Sequence, residues 1–301
     1  MALHVIVGAG PVGRTVSRQL AERGEQVRIV TRSGSGPEHP AIERVQADAT
    51  DPARLTALTT GAAVLYNCAN PQYHTWLTDW PPLASSLLTA AERTGAVYAI
   101  VGNLYGHGPV TAPMTADTPL AATHPKLKLR ADMWREAQLR HEAGRIRTVE
   151  VRGSDYIEDN SIFSFALAKP LQAGKRAYSP IPLDVPHSFT SISDVARTVI
   201  ALAGEEKAQG RAWPVPTNPA MTVRALAARY TAVHGLPAAK LTRLPYAALW
   251  AAGVFDKMAK ELRTTYYQFA QPFVLDSRET EEIFGLAPSD LDVALKNVLA
   301  L

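Results

Sequence analysis

A glycine-rich segment near the start of the chain constrains the fold more than any other feature. Residues 8–13 read Gly-Ala-Gly-Pro-Val-Gly and follow the apolar run Leu3–Val7, which is typical of a strand covered on both faces. Between this segment and Gly24 an apolar side chain recurs every four residues, which predicts an amphipathic helix. The sequence therefore predicts a strand, a glycine turn and a helix in that order.

That order is the context in which a G-x-G-x-x-G motif binds a dinucleotide. Gly8 permits a tight turn, Gly10 lets the backbone approach a pyrophosphate, and Gly13 allows close contact between helix and strand. The helix N-terminus offers unpaired N–H groups to the anion. The alternative interpretation is a glycine-rich turn that holds no ligand.

The residues after the second predicted strand indicate which dinucleotide is bound. NAD-binding proteins usually place Asp or Glu there to bind the ribose hydroxyls, whereas this chain has Thr31, Arg32 and Ser33. Arg32 is suited to pair with a 2′-phosphate, the two hydroxyls can donate to it, and Arg14 offers a second positive charge. We therefore predict NADP as the cofactor in preference to NAD. A solvated surface arginine at position 32 is the alternative.

Asp48 follows the third predicted strand. Its carboxylate is placed to accept a hydrogen bond from the adenine amino group. Asp48 is equally a candidate for the N-cap of the next helix, as are Thr50 and Asp51. The sequence leaves both interpretations open.

Strands and helices alternate along the first half of the chain, which predicts an α/β Rossmann fold with a doubly wound parallel sheet. The predicted strands are 3–7, 27–30, 42–47, 62–66, 96–101 and 147–151. Prolines cluster at 180–186 and 214–219, and we predict loops there. We expect a Rossmann domain at 1–155 that also receives about 188–204. A smaller, mostly C-terminal α/β substrate domain or lid is expected at 156–301.

Composition excludes several classes of partner. The formal net charge of +3 is too small to indicate nucleic acid or a membrane, and no apolar run is long enough to span a bilayer. The single cysteine, Cys68, excludes an intrachain disulfide, and the eight histidines lack the spacing of a metal site. The N-terminus has no signal-peptide pattern. We expect a cytoplasmic monomer or homodimer without a metal.

With these residues placed, the chain resembles the extended or atypical branch of the short-chain dehydrogenase/reductase superfamily, which includes the NAD-dependent epimerase/dehydratases. Besides the glycine motif and Asp48, the resemblance rests on Asn67-Cys68-Ala69-Asn70, Leu104-Tyr105-Gly106, Val151–Tyr156, Phe189–Ala196 and Phe284–Pro288. It covers nearly the whole chain and implies an NAD(P)-dependent enzyme. The residues predicted to bind the cofactor are accordingly Gly8, Gly10, Pro11, Val12, Gly13, Arg14, Thr31, Arg32, Ser33, Asp48, Ala49, Asn67, Ala69 and Asn103.

The catalytic pattern of that family is incomplete here. The family uses a Tyr with a Lys four residues later on one helix, and a Ser or Thr four residues before the Tyr-Gly pair. Val101 occupies the serine position, and residues 126–136 contain no tyrosine. Tyr105 is the best remaining acid–base candidate, and the available cations that would lower its pKa are Lys126, Lys128 and Arg130. Solvated positions on a helix are the alternative for Lys128 and Arg130. The alternative is that Tyr105 only packs against the cofactor or lid.

Aromatic and polar side chains after the predicted strands suit the wall of a small-molecule cleft. The predicted substrate residues are Tyr73, His74, Trp76, His107 and Tyr156. The leading hypothesis is an NADP-dependent oxidoreductase or an epimerase/dehydratase-like enzyme acting on a small organic substrate. The rival is a non-catalytic NADP-binding redox sensor, which the missing catalytic motif favours. A third alternative, a chain that lost its cofactor, predicts an obstruction at Gly10.

Overall fold

The computed structural model of the protein describes residues 1–158 and 161–299. Its strands are β1 (Leu3–Val7), β2 (Gln26–Thr31), β3 (Ile42–Gln46), β4 (Ala62–Asn67), β5 (Val97–Asn103), β6 (Thr148–Gly153), β7 (Asp155–Tyr156), β8 (Ala177–Ser179), β9 (Phe189–Thr190), β10 (Ala212–Pro214) and β11 (Leu241–Arg243). Its helices are α1 (Pro11–Glu22), α2 (Pro52–Thr59), α3 (Trp76–Thr94), α4 (Pro125–Glu142), α5 (Lys169–Gln172), α6 (Ile192–Ala203), α7 (Val223–Val233), α8 (Tyr246–Ala252), α9 (Lys257–Thr265), α10 (Tyr267–Ala270), α11 (Arg278–Phe284) and α12 (Leu291–Lys296).

The chain divides into two compact units. Unit 1 comprises Met1–Gly108, Pro119–Arg152 and Val195–Val215, and unit 2 comprises Pro109–Thr118, Gly153–Asp194 and Pro216–Leu301. The sequence predicts a first domain that ends at 155 and receives about 188–204, whereas this part of unit 1 ends at Arg152 and receives Val195–Val215. Unit 2 also takes a short segment from the first half of the chain. The predicted second domain includes residues 159–160 and 300–301, which lie outside the described residues.

Unit 1 is built on a seven-stranded sheet in the order β10-β6-β5-β4-β1-β2-β3, with its strands paired in parallel. The central strand, β1, lies between β2 and β4, and Val7 is opposite Val30 on one side and Asn67 on the other. The carboxyl ends of these three strands are therefore level at one sheet edge. The predicted α/β Rossmann fold is confirmed, and the reversal of strand order at β1 is where such sheets place ligands.

The seventh strand corrects one prediction, because the sequence interpretation assigned Pro214 to a loop. Pro214 is the last residue of β10, which pairs with β6 at the edge of the sheet. An edge strand tolerates proline because the missing N–H faces away from the neighbouring strand. Trp213 anchors this strand, since it is buried and its Nε1 donates to the carbonyl of Ala208 at 2.9 Å.

Helix α3 begins seven residues before the predicted start at Leu83. Pro81 and Pro82 lie inside this helix and are exposed, and proline usually interrupts a helix. Trp76 and Trp80, one turn apart, are fully buried on the opposite side. Burial of two indoles outweighs the local cost of the prolines.

Unit 2 contains two small parallel pairs, β8 with β11 and β7 with β9, together with short helices. Its core includes Phe163, Leu226, Tyr230 and Leu295. The apolar periodicity from 246 to 262 forms two helices, α8 and α9, rather than one. None of the helices in the part of the chain that the structure describes is long and apolar enough to cross a membrane.

Candidate functional site

The turn between β1 and α1 needs glycine at two positions. Gly8 has a backbone φ of 105°, and a Cβ there would lie 2.8 Å from the Cα of Ala69. At Gly13 a Cβ would lie 2.0 Å from the carbonyl oxygen of Gly8. Because nonbonded carbon contacts are optimal near 3.5–4.0 Å, a side chain at either position would force the turn apart.

Gly10 is different, because a side chain there would meet open space. Apart from its chain neighbours, no heavy atom of the described residues lies within 4 Å of the position its Cβ would take. Gly10 is the N-cap of α1 and provides no capping side chain, and the first turn of α1 holds no acidic residue. An uncapped N-terminus beside open space suits a pyrophosphate. A chain that had lost its cofactor was expected to have an obstruction at Gly10, and none is observed there among the described residues.

The end of β4 closes the other side of this turn. Asn67 is buried, its Nδ2 donates to the hydroxyl of Tyr98 at 3.0 Å, and its Oδ1 accepts from the Ala69 N–H at 3.3 Å. Burial raises the pKa of the Cys68 thiol to about 12, so this thiol is protonated at neutral pH and contributes packing. Asn67 therefore shapes the loop that meets Gly8, while its contact with a cofactor stays a prediction.

The loop after β2 presents Arg32 at the surface. Arg32 and Ser33 are exposed. Thr31 Oγ1 donates to the carbonyl of Ser35 at 3.2 Å, and the Ser33 and Ser35 hydroxyls are 2.9 Å apart. These bonds fold the loop onto itself. Arg14, in the first turn of α1, is exposed as well.

Asp48 organises the loop after β3. Its Oδ1 accepts from the backbone N–H of Thr50 at 2.9 Å and from the Thr50 hydroxyl at 2.8 Å. These bonds, and to a smaller extent the charge of Arg32, hold the pKa of the Asp48 carboxyl below its usual range. The N-cap of α2 is Asp51, whose carboxylate accepts from two backbone N–H groups of that helix. Capping by Asp48 is thus wrong, and its contact with adenine stays a prediction.

Two tyrosines meet where β4 and β5 end. The hydroxyls of Tyr73 and Tyr105 share a hydrogen bond, and the rings lie edge to face with centroids 6.0 Å apart. Trp76 stacks on Tyr73 at 4.4 Å and lies 5.9 Å from Tyr105. Asn103 Oδ1 accepts from the Tyr105 N–H at 3.1 Å. Both tyrosines are half-buried, whereas Trp76 is buried and His74 is exposed.

The two predicted catalytic cations, Arg130 and Lys128, contact other groups. The Arg130 guanidinium lies 4.5 Å from the ring centroid of Trp80, and its Nη2 is 3.4 Å from the carbonyl oxygen of Val101. Lys128 pairs with Asp132 at 2.6 Å on the exposed face of α4. Val101 occupies the serine position of the family pattern, so Arg130 reaches the backbone there. Catalytic roles for Lys128 and Arg130 stay predictions.

His107 belongs to an internal network. It is only 2% exposed, its Nδ1 lies 3.1 Å from the carbonyl of Pro119, and its Nε2 lies 3.4 Å from Arg152 Nη1. Arg152 in turn pairs with the buried Glu150 at 2.9 Å. A substrate contact would need an exposed imidazole, so this structure does not present His107 in its predicted role.

Unit 2 adds a pair of residues that sequence interpretation missed. Asp155, next to Tyr156 on β7, lies 2.7 Å from Nε2 of the buried His187. The imidazole is stacked between Phe269 and Phe273, with centroids 4.9 and 5.4 Å away. Asp155 and Tyr156 both line a small apolar crevice of this unit. No spacing signal links residues so far apart in the chain, so only the fold reveals the pair.

Comparison with known proteins adds the family context. The model of the NAD dependent epimerase/dehydratase family matches residues 4–213. No curated protein is similar enough in sequence to match the chain.

Several solved structures share the fold. The Bordetella bronchiseptica enzyme WbmH in complex with NAD+ is 17% identical, with a TM-score of 0.75, and the match covers 100% of this chain and 97% of that one. The dTDP-glucose 4,6-dehydratase of Bacillus anthracis in complex with NAD is 13% identical, with a TM-score of 0.79, covering 100% and 96%. The DesIV double mutant of Streptomyces venezuelae, with NAD and DAU bound, is 16% identical, with a TM-score of 0.75, covering 100% and 96%.

Proposed function

We propose, on the premise that the chain belongs to the NAD dependent epimerase/dehydratase family, that this enzyme binds NADP at the Gly8–Gly13 turn and acts on a small organic substrate. The observation that carries the proposal is the open space at Gly10 beside the uncapped N-terminus of α1. The residues present fit a dinucleotide, because the turn is tight at Gly8 and Gly13 and open only where a pyrophosphate would lie. The bound nicotinamide would supply hydride transfer.

Support for NADP comes from the loop after β2. The similar structures named above contain NAD, which favours the unphosphorylated cofactor. In this chain, however, the loop after β2 presents the exposed Arg32 and two hydroxyls and has no carboxylate at 31–33. A guanidinium pairs with a phosphate in bidentate fashion, whereas the diol of NAD gives it no anion to pair with.

Binding titrations with NADPH and NADH test this preference. Charge-assisted hydrogen bonds contribute about 1.5–3 kcal/mol, so NADPH should bind roughly 10–100 times more tightly than NADH. Arg32→Gln should remove the preference and leave NADH affinity unchanged. Arg18→Gln, at an exposed arginine on α1, is the matched control. Tighter binding of NADH, or equal losses of both cofactors in Arg32→Gln, would refute the NADP assignment.

The Tyr73–Tyr105 pair supports acid–base chemistry. A tyrosine has an ordinary pKa near 10, so a phenol that gives up its proton needs a stabilising partner. A hydrogen bond donated by Tyr73 would favour the deprotonated form of Tyr105. In the opposite direction, Tyr105 would donate a proton to a substrate oxygen while Tyr73 orients its hydroxyl. Hydride transfer to or from a carbonyl carbon needs such a proton donor or acceptor at the oxygen.

The catalytic role is tested by turnover of carbonyl compounds with NADPH. Tyr105→Phe should lower kcat by about 10²–10⁴-fold, and Tyr73→Phe should lower it less, with cofactor affinity kept in both. Tyr178→Phe, at an exposed tyrosine of β8, is the matched control. If NADPH binds but no carbonyl compound turns over, the redox-sensor alternative is favoured instead. A cytoplasmic location, the absence of nucleic-acid binding, and a monomeric or homodimeric state stay predictions.

A further inference from the structure

The segment 246–255 is apolar, and most of it is exposed. It reads Tyr-Ala-Ala-Leu-Trp-Ala-Ala-Gly-Val-Phe and contains no charged side chain. Trp250 is 56% exposed, Val254 64% and Phe255 93%. In this segment only Leu249 and Gly253 are buried. A helix that is apolar on all sides normally lies in a protein core or in a membrane. The exposure of this segment therefore indicates that it binds another apolar surface.

The turn between α8 and α9 is held in place by Arg263. Its guanidinium lies 4.6 Å from the ring centroid of Trp250, and its Nη2 donates to the Trp250 carbonyl. A Cβ at Gly253 would lie 2.3 Å from the same guanidinium, so glycine leaves the space that Arg263 occupies. Asp256 caps α9 by accepting from the Ala259 N–H at 2.7 Å. The protruding Val254 and Phe255 therefore sit on a defined turn.

Two lysines follow the apolar residues, after the intervening Asp256. Lys257 and Lys260 are exposed on α9, one helical turn apart, or about 4.5 Å along the axis. Acidic neighbours are Glu261 and Asp256, and the charge of Asp256 is offset by the helix N-terminus that it caps. An aromatic tip followed by lysines is the pattern of segments that insert about 5–10 Å into the interface of an anionic membrane.

We propose that the α8–α9 tip, defined as Trp250, Val254, Phe255, Lys257 and Lys260, docks on the surface of an anionic lipid bilayer. The apolar side chains enter the headgroup boundary, and the lysines pair with lipid phosphates and carboxylates. The expectation of no membrane partner was based on the net charge and on the lack of a run long enough to span a bilayer, and neither reveals this local arrangement. The docking is peripheral and does not depend on the proposed NADP chemistry.

A second copy of the chain is the weaker alternative for this surface. The three aromatic residues Tyr246, Trp250 and Phe255 are 41%, 56% and 93% exposed. At roughly 200 Å² per aromatic side chain they expose about 400 Å². A stable dimer buries about 800 Å² per partner. Phe255 also protrudes, and a convex tip needs a matching pocket on a protein, whereas lipid adapts to it.

Co-sedimentation of the full chain with vesicles tests the proposal. Binding to vesicles of phosphatidylcholine with phosphatidylserine is expected. Binding should be weaker to phosphatidylcholine alone, and high salt should weaken binding to the mixed vesicles. Phe255→Ser should weaken binding about tenfold or more, and Lys257→Gln and Lys260→Gln about fivefold each. The matched controls are Phe165→Ser and Lys175→Gln, at exposed positions elsewhere in unit 2, which should bind as the unchanged chain does.

Two results would overturn the proposal. Failure to sediment with either vesicle would do so, as would equal losses in Phe255→Ser and Phe165→Ser. A concentration-dependent dimer that Phe255→Ser abolishes, without any vesicle binding, would assign the surface to a second copy. Circular dichroism and melting temperature report whether each variant is folded, and little change is expected because Phe255 is 93% exposed.

Discussion

Alanine at Gly13 should destabilise the protein in the absence of any ligand. The new Cβ would lie 2.0 Å from the Gly8 carbonyl oxygen and 3.2 Å from the Cβ of Cys68. The first distance is more than 1 Å shorter than a normal contact, so α1 or the turn must move. Overpacking of this kind costs about 1–3 kcal/mol, which lowers Tm by roughly 2–5 °C for a chain of this size.

Alanine at Gly10 is the matched comparison, because its Cβ would meet no heavy atom of the described residues within 4 Å, chain neighbours aside. Its backbone, with φ of −69° and ψ of −179°, is also accessible to alanine. The loss of a good N-cap residue and the reduced entropy of the unfolded chain offset each other, so stability should stay within about 0.5 kcal/mol. Cofactor binding should still fall about tenfold or more, because the Cβ fills the space proposed for the pyrophosphate.

The assay is thermal unfolding without cofactor, followed by titration with NADPH. We expect Gly13→Ala to lose stability and affinity, and Gly10→Ala to lose affinity alone. The reasoning is refuted if both variants are equally destabilised, or if Gly10→Ala binds NADPH as the unchanged chain does. The first result would contradict the packing at Gly13. The second would contradict the placement of the cofactor.

Two further predictions concern buried charges. Arg152→Met leaves the buried Glu150 without its ion-pair partner, so urea unfolding should show a free energy of unfolding lower by about 3–5 kcal/mol. Adding Glu150→Met should recover most of this loss, and no recovery would contradict an ion-pair origin. Burial raises the pKa of the Glu158 carboxyl, against the hydrogen bonds from Ser191 and Ile192. A pKa that is raised in the folded state contributes stability below the unfolded pKa, and this stability is lost as pH rises from the unfolded pKa through the folded one. Glu158→Gln does not titrate, so it should gain stability relative to the unchanged chain as pH rises above the ordinary glutamate pKa of about 4.3. Parallel pH profiles of the unfolding free energy would contradict this.

The sequence predicted six of the seven strands of the sheet, because most of them are short apolar runs between helical segments. Its errors fall where tertiary packing overrides a local signal. Pro214 was predicted to lie in a loop but is the last residue of an edge strand. Because of Pro81 and Pro82, the first turns of α3 were not predicted as helix. The sheet edge tolerates Pro214, and the buried Trp76 and Trp80 offset the cost of the two prolines in α3. Sequence alone does not show which indoles are buried.

The sequence predicts local features of the candidate site, but not the contacts that depend on tertiary packing. Residues of the glycine motif act within one local turn, so their spacing is informative. The Tyr73–Tyr105 bond joins two loops that follow different strands, and sequence reasoning gave the two tyrosines separate roles. His107 was assigned to a substrate cleft on residue type, whereas the structure buries it beside Arg152. Such pairings depend on register and rotamer, which periodicity does not encode.

The buried indoles of α3 give the protein an optical signature. Trp76 and Trp80 have centroids 6.5 Å apart and planes at 74°, a geometry in which the electronic transitions of two indoles couple. The coupled pair should give an exciton band in the circular dichroism spectrum. Trp76 also stacks against Tyr73 and lies 5.9 Å from Tyr105. A ligand that moves the two tyrosines would change that band, so occupancy of the site can be followed in the unlabelled, unsubstituted chain.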